Sequence, residues 1–254
     1  MHLINTHTHL YLPQFDHDRA QMVARAKAIG VERFYLPGID SEVIDRMLQT
    51  EQDFPECIMM PGLHLCSVKE NYKEELAIVE SWLGKRKFPA VGEIGLDFYW
   101  DKTFTEQQYD AFRIQIEWAL QYNLPIVIHT RNAMQETINV VREYKGRGLR
   151  GIFHCFSGSY ESARQIIDAG FLLGIGGVVT YKNAGLPEVL SQFSVDHLVL
   201  ETDAPYLTPV PFRGKRNESS YLQYVVEKLA EVYGVSKDEI ASMTTSNAKA
   251  LFAY

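Results

Sequence analysis

Two histidines set two residues apart, His7 and His9 in NTHTHL (residues 5–10), are the first groups in the chain whose spacing suits chemistry. Period-two alternation in a strand puts both imidazoles on one side. Other polar groups fall late in apolar runs: Glu93 in AVGEIGL, His129 in PIVIHT, His154 in RGIFHC, and Glu201 with Asp203 in HLVLETD. Imidazole and carboxylate are the usual non-thiolate ligands of catalytic divalent cations. His7, His9, Glu93, His129, His154 and Asp203 supply enough donors for a two-cation hydrolytic site. Glu93, from a middle strand, is the expected bridge. Asp203 is expected to bind one cation and accept the proton of the attacking water, with Glu201 supporting from behind. A lone histidine at a strand end is usually a hydrogen-bonded core residue. Four of them joined by inward carboxylates would bury charge at a cost of several kcal/mol or more, which a cation removes.

The elements that must hold these groups are legible as eight short apolar or β-branched runs, at 3–7, 33–39, 57–63, 90–96, 125–130, 150–155, 171–177 and 197–203. Helical periodicity fills the gaps. Residues 16–30 place Met22, Ala26 and Ile29 on one face with Gly30 as C-cap, and residues 105–124 place Phe112, Ile116, Ala119 and Leu120 together with Thr105 as N-cap. Continuous apolar strands alternating with helices predict a parallel sheet closed as a (β/α)8 TIM barrel, in preference to a doubly wound open sheet. In such a barrel the late polar residues converge at the C-terminal mouth, where catalytic groups sit. His2 and His197 fall at the opposite end, and His17 at a helix start. No linker or repeat divides the chain, so residues 1–254 are expected to form one domain, closed after residue 218 by two or three helices.

The chain has 254 residues, 46% of them hydrophobic and 22% charged, which is ordinary for a globular protein. Its 25 Lys and Arg against 32 Asp and Glu leave a formal charge of −7, so an anionic substrate needs a local patch or a metal. Cys57, Cys66 and Cys155 form no paired framework, which suits a reducing, cytoplasmic setting. No leader and no apolar run of about 18 residues argue for a membrane, and no obligate protein partner is expected. GxSxG, GxxxxGK[ST] and HExxH are absent, and GIGG at 174–177 is too short for a dinucleotide fingerprint. Adjacent strand residues such as His154 and Cys155 point to opposite faces, which argues against a Cys/His nucleophilic pair.

Around the mouth, His64 in GLHLCSV, Arg131 beside His129, Lys182, and Arg213 and Asn217 in FRGKRNESS (212–220) are candidates for contacting a substrate anion. Lys215 and Arg216 read as a solvated part of the same loop. Phe98, Tyr99, Trp100, Tyr181 and Tyr206 offer either stacking surface or packing.

In seven stretches the chain resembles TatD-type metal-dependent hydrolases, a deoxyribonuclease family of amidohydrolase-like barrels: NTHTHL, VGEIGLDFY, PIVIHTR, IFHCFSG, GVVTYKNA, LETDAPYL and RGKRN, in order over nearly the whole length. The resemblance implies a divalent-metal-dependent phosphodiesterase acting on DNA, in some members as a 3′ exonuclease, with ligands at His7, His9, Glu93, His129, His154 and Asp203. Three positions depart from the family pattern: Asn132 stands for an acid, Leu65 for a proline after His64, and Ser219 for a proline after RNE. The ligand set is intact, so these bear on substrate choice. The expected cofactor is one or two divalent cations, with zinc, manganese, iron or nickel suited to four imidazoles and magnesium implied by the resemblance. Two rivals remain, a barrel metallohydrolase for a small ester, lactone or amide and a non-enzymatic metal-binding protein. Glu93 in place of a bridging lysine weakens the cyclic-amide version of the first.

Overall fold

Apolar runs too short for helices and bounded by turns become strands, and the amphipathic stretches between them become the helices that cover them. The computed structural model describes residues 1–253; Tyr254, the end of the closing tail, lies outside the described residues. The order is β1 (Leu3–Asn5), α1 (Arg19–Ala28), β2 (Val31–Pro37), α2 (Ile44–Asp53), β3 (Cys57–Met60), α3 (Tyr72–Leu83), β4 (Val91–Asp97), α4 (Thr105–Gln121), β5 (Ile126–Arg131), α5 (Met134–Glu143), β6 (Gly151–Phe153), α6 (Tyr160–Asp168), β7 (Phe171–Ile175), α7 (Leu186–Leu190), β8 (Leu198–Leu200), α8 (Leu222–Tyr233) and α9 (Lys237–Phe252). The strands pair in parallel as β1-β2-β3 and β4-β5-β6-β7-β8.

Backbone hydrogen bonds at the strand ends close the two sets into a barrel. Thr6 N–H donates to Leu200 O at 2.9 Å, joining β1 to β8, and Gly92 N–H donates to Pro61 O at 3.0 Å, joining β4 to the end of β3. The second seam needs a residue without a side chain, because a Cβ on Gly62 would stand 2.6 Å from the Gly92 carbonyl carbon.

Inside the barrel lies a small apolar cluster: Ile4, Tyr35, Met60, Ala90, Val127, Ile152 and Val199, with Leu172 packed against it. The end of α9 plugs it from below through Ala248, Leu251 and Phe252, whose ring stacks on Tyr35 at 4.0 Å. The larger core fills the space between strands and outer helices. The inner cluster sets the site. His129, His154 and Glu201 each follow an inward apolar residue (Val127, Ile152, Val199) by two positions, so the alternation that builds the apolar floor also builds a polar layer above it.

Local details differ from the sequence expectations. β1 ends at Asn5, so His7 and His9 follow the strand instead of lying on it. Their segment is held outside any ladder: Asn5 bonds Thr202 through both ends of its amide, Thr8 N–H donates to Tyr35 O, and His9 N–H donates to Ala204 O. α1 starts at Arg19, after a 3-10 turn at Pro13–Phe15, and its C-cap is Ile29, with Gly30 one residue further at φ +101°. Thr105 opens α4 without capping it, because its hydroxyl donates back to Lys102 O. α8 and α9 close the barrel, and among the described residues no helix is long and apolar enough to cross a membrane.

Candidate metal centre

Glu93, the third residue of β4, is 2% exposed and divides its carboxylate between two groups of imidazoles. Oε2 stands 3.1 Å from His7 Nε2 and 3.7 Å from His9 Nε2. Oε1 stands 2.8 Å from His129 Nδ1, 3.0 Å from His154 Nε2 and 3.4 Å from His64 Nε2. Asp203 Oδ1 adds a second carboxylate to the first group, 3.4 Å from His9 Nε2 and 3.6 Å from His7 Nε2. Its backbone is at φ +55°, a left-handed conformation uncommon without glycine, and is pinned by its N–H donating to His7 O at 3.0 Å. The rings of His7 and His154 stack at 3.9 Å, so the two groups touch.

Three of the imidazoles have a support behind them. Asp97, at the end of β4, meets His129 Nε2 at 3.1 Å and accepts the Tyr99 and Trp100 backbone N–H groups on its other oxygen. Glu201 Oε1 lies 3.3 Å from His154 Nδ1 and accepts the Cys155 N–H. Gly174 makes room for it, since a Cβ there would stand 2.3 Å from Glu201 Oε2. The Tyr11 hydroxyl lies 2.8 Å from His9 Nδ1 and donates to Pro37 O. Asp97 and Tyr11 are not among the residues singled out from sequence. The available signal was even spacing, four residues after Glu93 and two after His9.

The electrostatics follow from one buried carboxylate among imidazoles. Burial alone would raise the Glu93 pKa, but the charges of His154, His7 and His64 and the His129 hydrogen bond hold it well below the usual range. Burial would lower His154, yet Glu93 and Glu201 hold it well above an ordinary imidazole. Against the same opposing burial, hydrogen bonds from Asp97 and Glu93 raise His129, and Glu93, with the Cys66 side chain adding to it, raises His64 to about 9. His7 goes the other way: burial, then the neighbouring His154, push it down. Asp203 is held low despite burial by its His9 contact and the charges of His154 and His7. The positive charge drawn onto these rings is what a dication would supply in their place.

The residues fit a cation. His7 Nδ1 and Nε2, His154 Nδ1 and Glu201 Oε2 are buried without a hydrogen-bond partner, although His7 Nε2 lies close to Glu93 and His154 Nδ1 close to Glu201 Oε1. Three groups converge within ligand reach: His7, His9 and Asp203; His7, His154 and Glu201; and His64, Glu93 and His129, each with donor atoms within 4.8 Å of one another. Imidazole nitrogens mixed with carboxylates suit zinc or another borderline divalent ion.

All six sequence-derived ligand candidates, with Glu201, therefore meet at one mouth. The substrate-side candidates separate. His64 faces Glu93 from within the same cluster, and its Nδ1 accepts the Cys66 N–H. Arg131 and Arg213 are exposed, lie over the Tyr99 and Tyr181 rings at 3.6 and 4.1 Å, and have no ion pair among the described residues. Lys182 is exposed. Asn217 is not a substrate contact: it is fully buried, its amide donating to Thr202 O and Tyr206 O while its oxygen accepts the Glu218 N–H. Arg216 is no solvated loop residue either, because it clamps both Asp18 oxygens at 2.7 and 2.8 Å.

A closed parallel barrel whose C-terminal mouth gathers imidazoles around a shared carboxylate defines the class of metal-dependent barrel hydrolases. Within that class the chain belongs to the TatD related DNase family, whose sequence profile matches residues 4–253. It is 42% identical over 251 residues to the uncharacterized metal-dependent hydrolase YabD of Bacillus subtilis (strain 168), covering 98% of both chains. It is 31% identical over 245 residues to the 3′-5′ ssDNA/RNA exonuclease TatD of Cronobacter sakazakii, covering 94% of this chain and 93% of that one. The crystal structure of the TatD homolog YJJV from Escherichia coli K12 superposes with a TM-score of 0.93 at 29% identity, over 99% of this chain and 98% of that one. The Escherichia coli phosphotriesterase homology protein, at 15% identity and a TM-score of 0.72, shares the fold.

Proposed function

We propose that residues 1–254 form one hydrolase domain that cleaves phosphodiester bonds, with DNA as substrate and removal of nucleotides from the 3′ end as the mode of attack. The observation that carries this reading is the division of Glu93 between two ligand sets, His7, His9 and Asp203 on Oε2 and His129 and His154 on Oε1. When bound, the cations would supply Lewis-acid activation of water and neutralise phosphate charge. Glu93 would help hold both cations, and Asp203, beside His7 and His9, would take the proton of the water. Arg131 and Arg213, without carboxylate partners among the described residues, bring positive charge to the rim of a chain with net charge −7. The names of the 31%-identical relatives support a nucleic-acid substrate. Three free thiols, Cys57, Cys66 and Cys155, support a reducing, cytoplasmic setting.

The test is a side-by-side assay of 5′-labelled single-stranded DNA and bis-p-nitrophenyl phosphate against lactone, ester and amide panels, each in manganese, magnesium and zinc. The proposal expects a ladder shortened from the 3′ end. Turnover of a lactone or amide with intact DNA would transfer the site to the rival reading.

A further inference from the structure

Beside the metal centre the chain spends apolar surface that packing does not use. Trp118 is 8% exposed and Trp82 packs against the core, whereas Trp100 is 68% exposed and its neighbour Tyr99 is 51% exposed. Large aromatic rings are strongly favoured in cores and interfaces, so two adjacent rings left in water ask for a partner. They are held in place. Asp97 accepts the N–H of Tyr99 at 2.7 Å and of Trp100 at 3.2 Å on one oxygen while its other oxygen meets His129. The loop is tied further on by Lys69 bonding Asp101 at 2.9 Å and by Gln108 donating to Asp97 O at 3.2 Å. The Tyr99 and Trp100 rings meet edge to face at 4.9 Å, and the Arg131 guanidinium covers Tyr99 at 3.6 Å and lies 5.1 Å from Trp100.

A cation for a phosphate and an aromatic face for a base, both tethered to one candidate metal ligand, is the chemistry of single-stranded nucleic acid binding. Resting on the phosphodiesterase reading above, we propose that Tyr99 and Trp100 form a ledge on which an unpaired nucleobase stacks, with Arg131 held on Tyr99 to meet the adjoining phosphate. Every base has a π-face, so the ledge selects for an unpaired base without selecting its identity. A paired end must fray before it can occupy the ledge.

The experiment compares six-residue oligothymidylate with an abasic oligomer of the same length, which keeps the phosphates and lacks the bases. Cleavage is measured as kcat/KM, and binding as quenching of the exposed Trp100 emission with the metals chelated. Wild-type protein should prefer the base-bearing oligomer by about tenfold, near the weaker end of base–aromatic stacking. Trp100→Ala should abolish that preference and Trp100→Phe should restore part of it. Tyr122→Ala, on an exposed ring at the end of α4 away from the mouth, should keep it whole. An undiminished preference in Trp100→Ala overturns the ledge and leaves the phosphodiesterase standing. Failure of the wild type to bind or cleave either oligomer brings both down together.

Discussion

His129 turns Nδ1 to Glu93 at 2.8 Å and is held from behind by Asp97 at 3.1 Å on Nε2. The carboxylate thereby fixes which ring nitrogen faces the centre. Asp97→Ala should lower divalent-cation affinity or kcat/KM by about 10–100-fold, the usual cost of losing such a support. Asp97→Asn, which still offers an oxygen to Nε2–H, should recover part of the loss. Titration calorimetry with manganese checks both, and equal affinities in all three proteins would refute the assignment.

Much of this centre was legible in the sequence because a barrel enforces one rule on every strand. Val127 and His129, and Ile152 and His154, are read by the same alternation, apolar below and polar above. The rule fails at His7 and His9, where the strand stops at Asn5 and tertiary hydrogen bonds to Leu200, Tyr35 and Ala204 take over. It is silent on Asn217, whose fate depends on carbonyls at Thr202 and Tyr206 that only the folded chain brings near. Arg216 was hidden for the same reason, its partner Asp18 lying 198 residues away in sequence.

Removal of divalent cations should loosen the folded state as well as stop turnover. A ligand that binds only the native protein stabilises it by about 2.7 kcal/mol at a hundred times its Kd. For a chain of this size that is a rise in Tm of about 5–10 °C. Calorimetry of chelator-stripped protein, with and without manganese or zinc, measures it; an unchanged Tm at saturating metal contradicts the site.

Asn217→Ala should behave as a folding variant. Two buried carbonyls and the Glu218 N–H lose their partner, a loss of about 1–3 kcal/mol in urea unfolding. KM of the soluble fraction should stay within about twofold of wild type. A large rise in KM with unchanged stability would return Asn217 to the substrate.

The Arg216 clamp carries an acid-dependent share of stability. Hydrogen bonds from Arg216, with Arg25 adding to them, bring the Asp18 pKa from 3.8 to about 2. A lowered carboxyl pKa stabilises the fold in full above the ordinary value, and the contribution fades as pH falls through about 2. Arg216→Ala should therefore be weaker than wild type by about 1 kcal/mol near neutrality, after solvent screening, with the gap closing as the acid limit is reached. Urea midpoints across that range test the sign, and a gap that widens in acid would reverse it.

The account turns on Glu93 serving two cation positions at once. Anomalous diffraction from crystals grown with manganese or zinc measures this most directly. Two peaks are expected, about 3.5–4 Å apart, one between Glu93 and the His7, His9 and Asp203 side chains and the other between Glu93 and the His129 and His154 side chains. Peaks bound elsewhere on the surface, with none within ligand distance of Glu93, would contradict it.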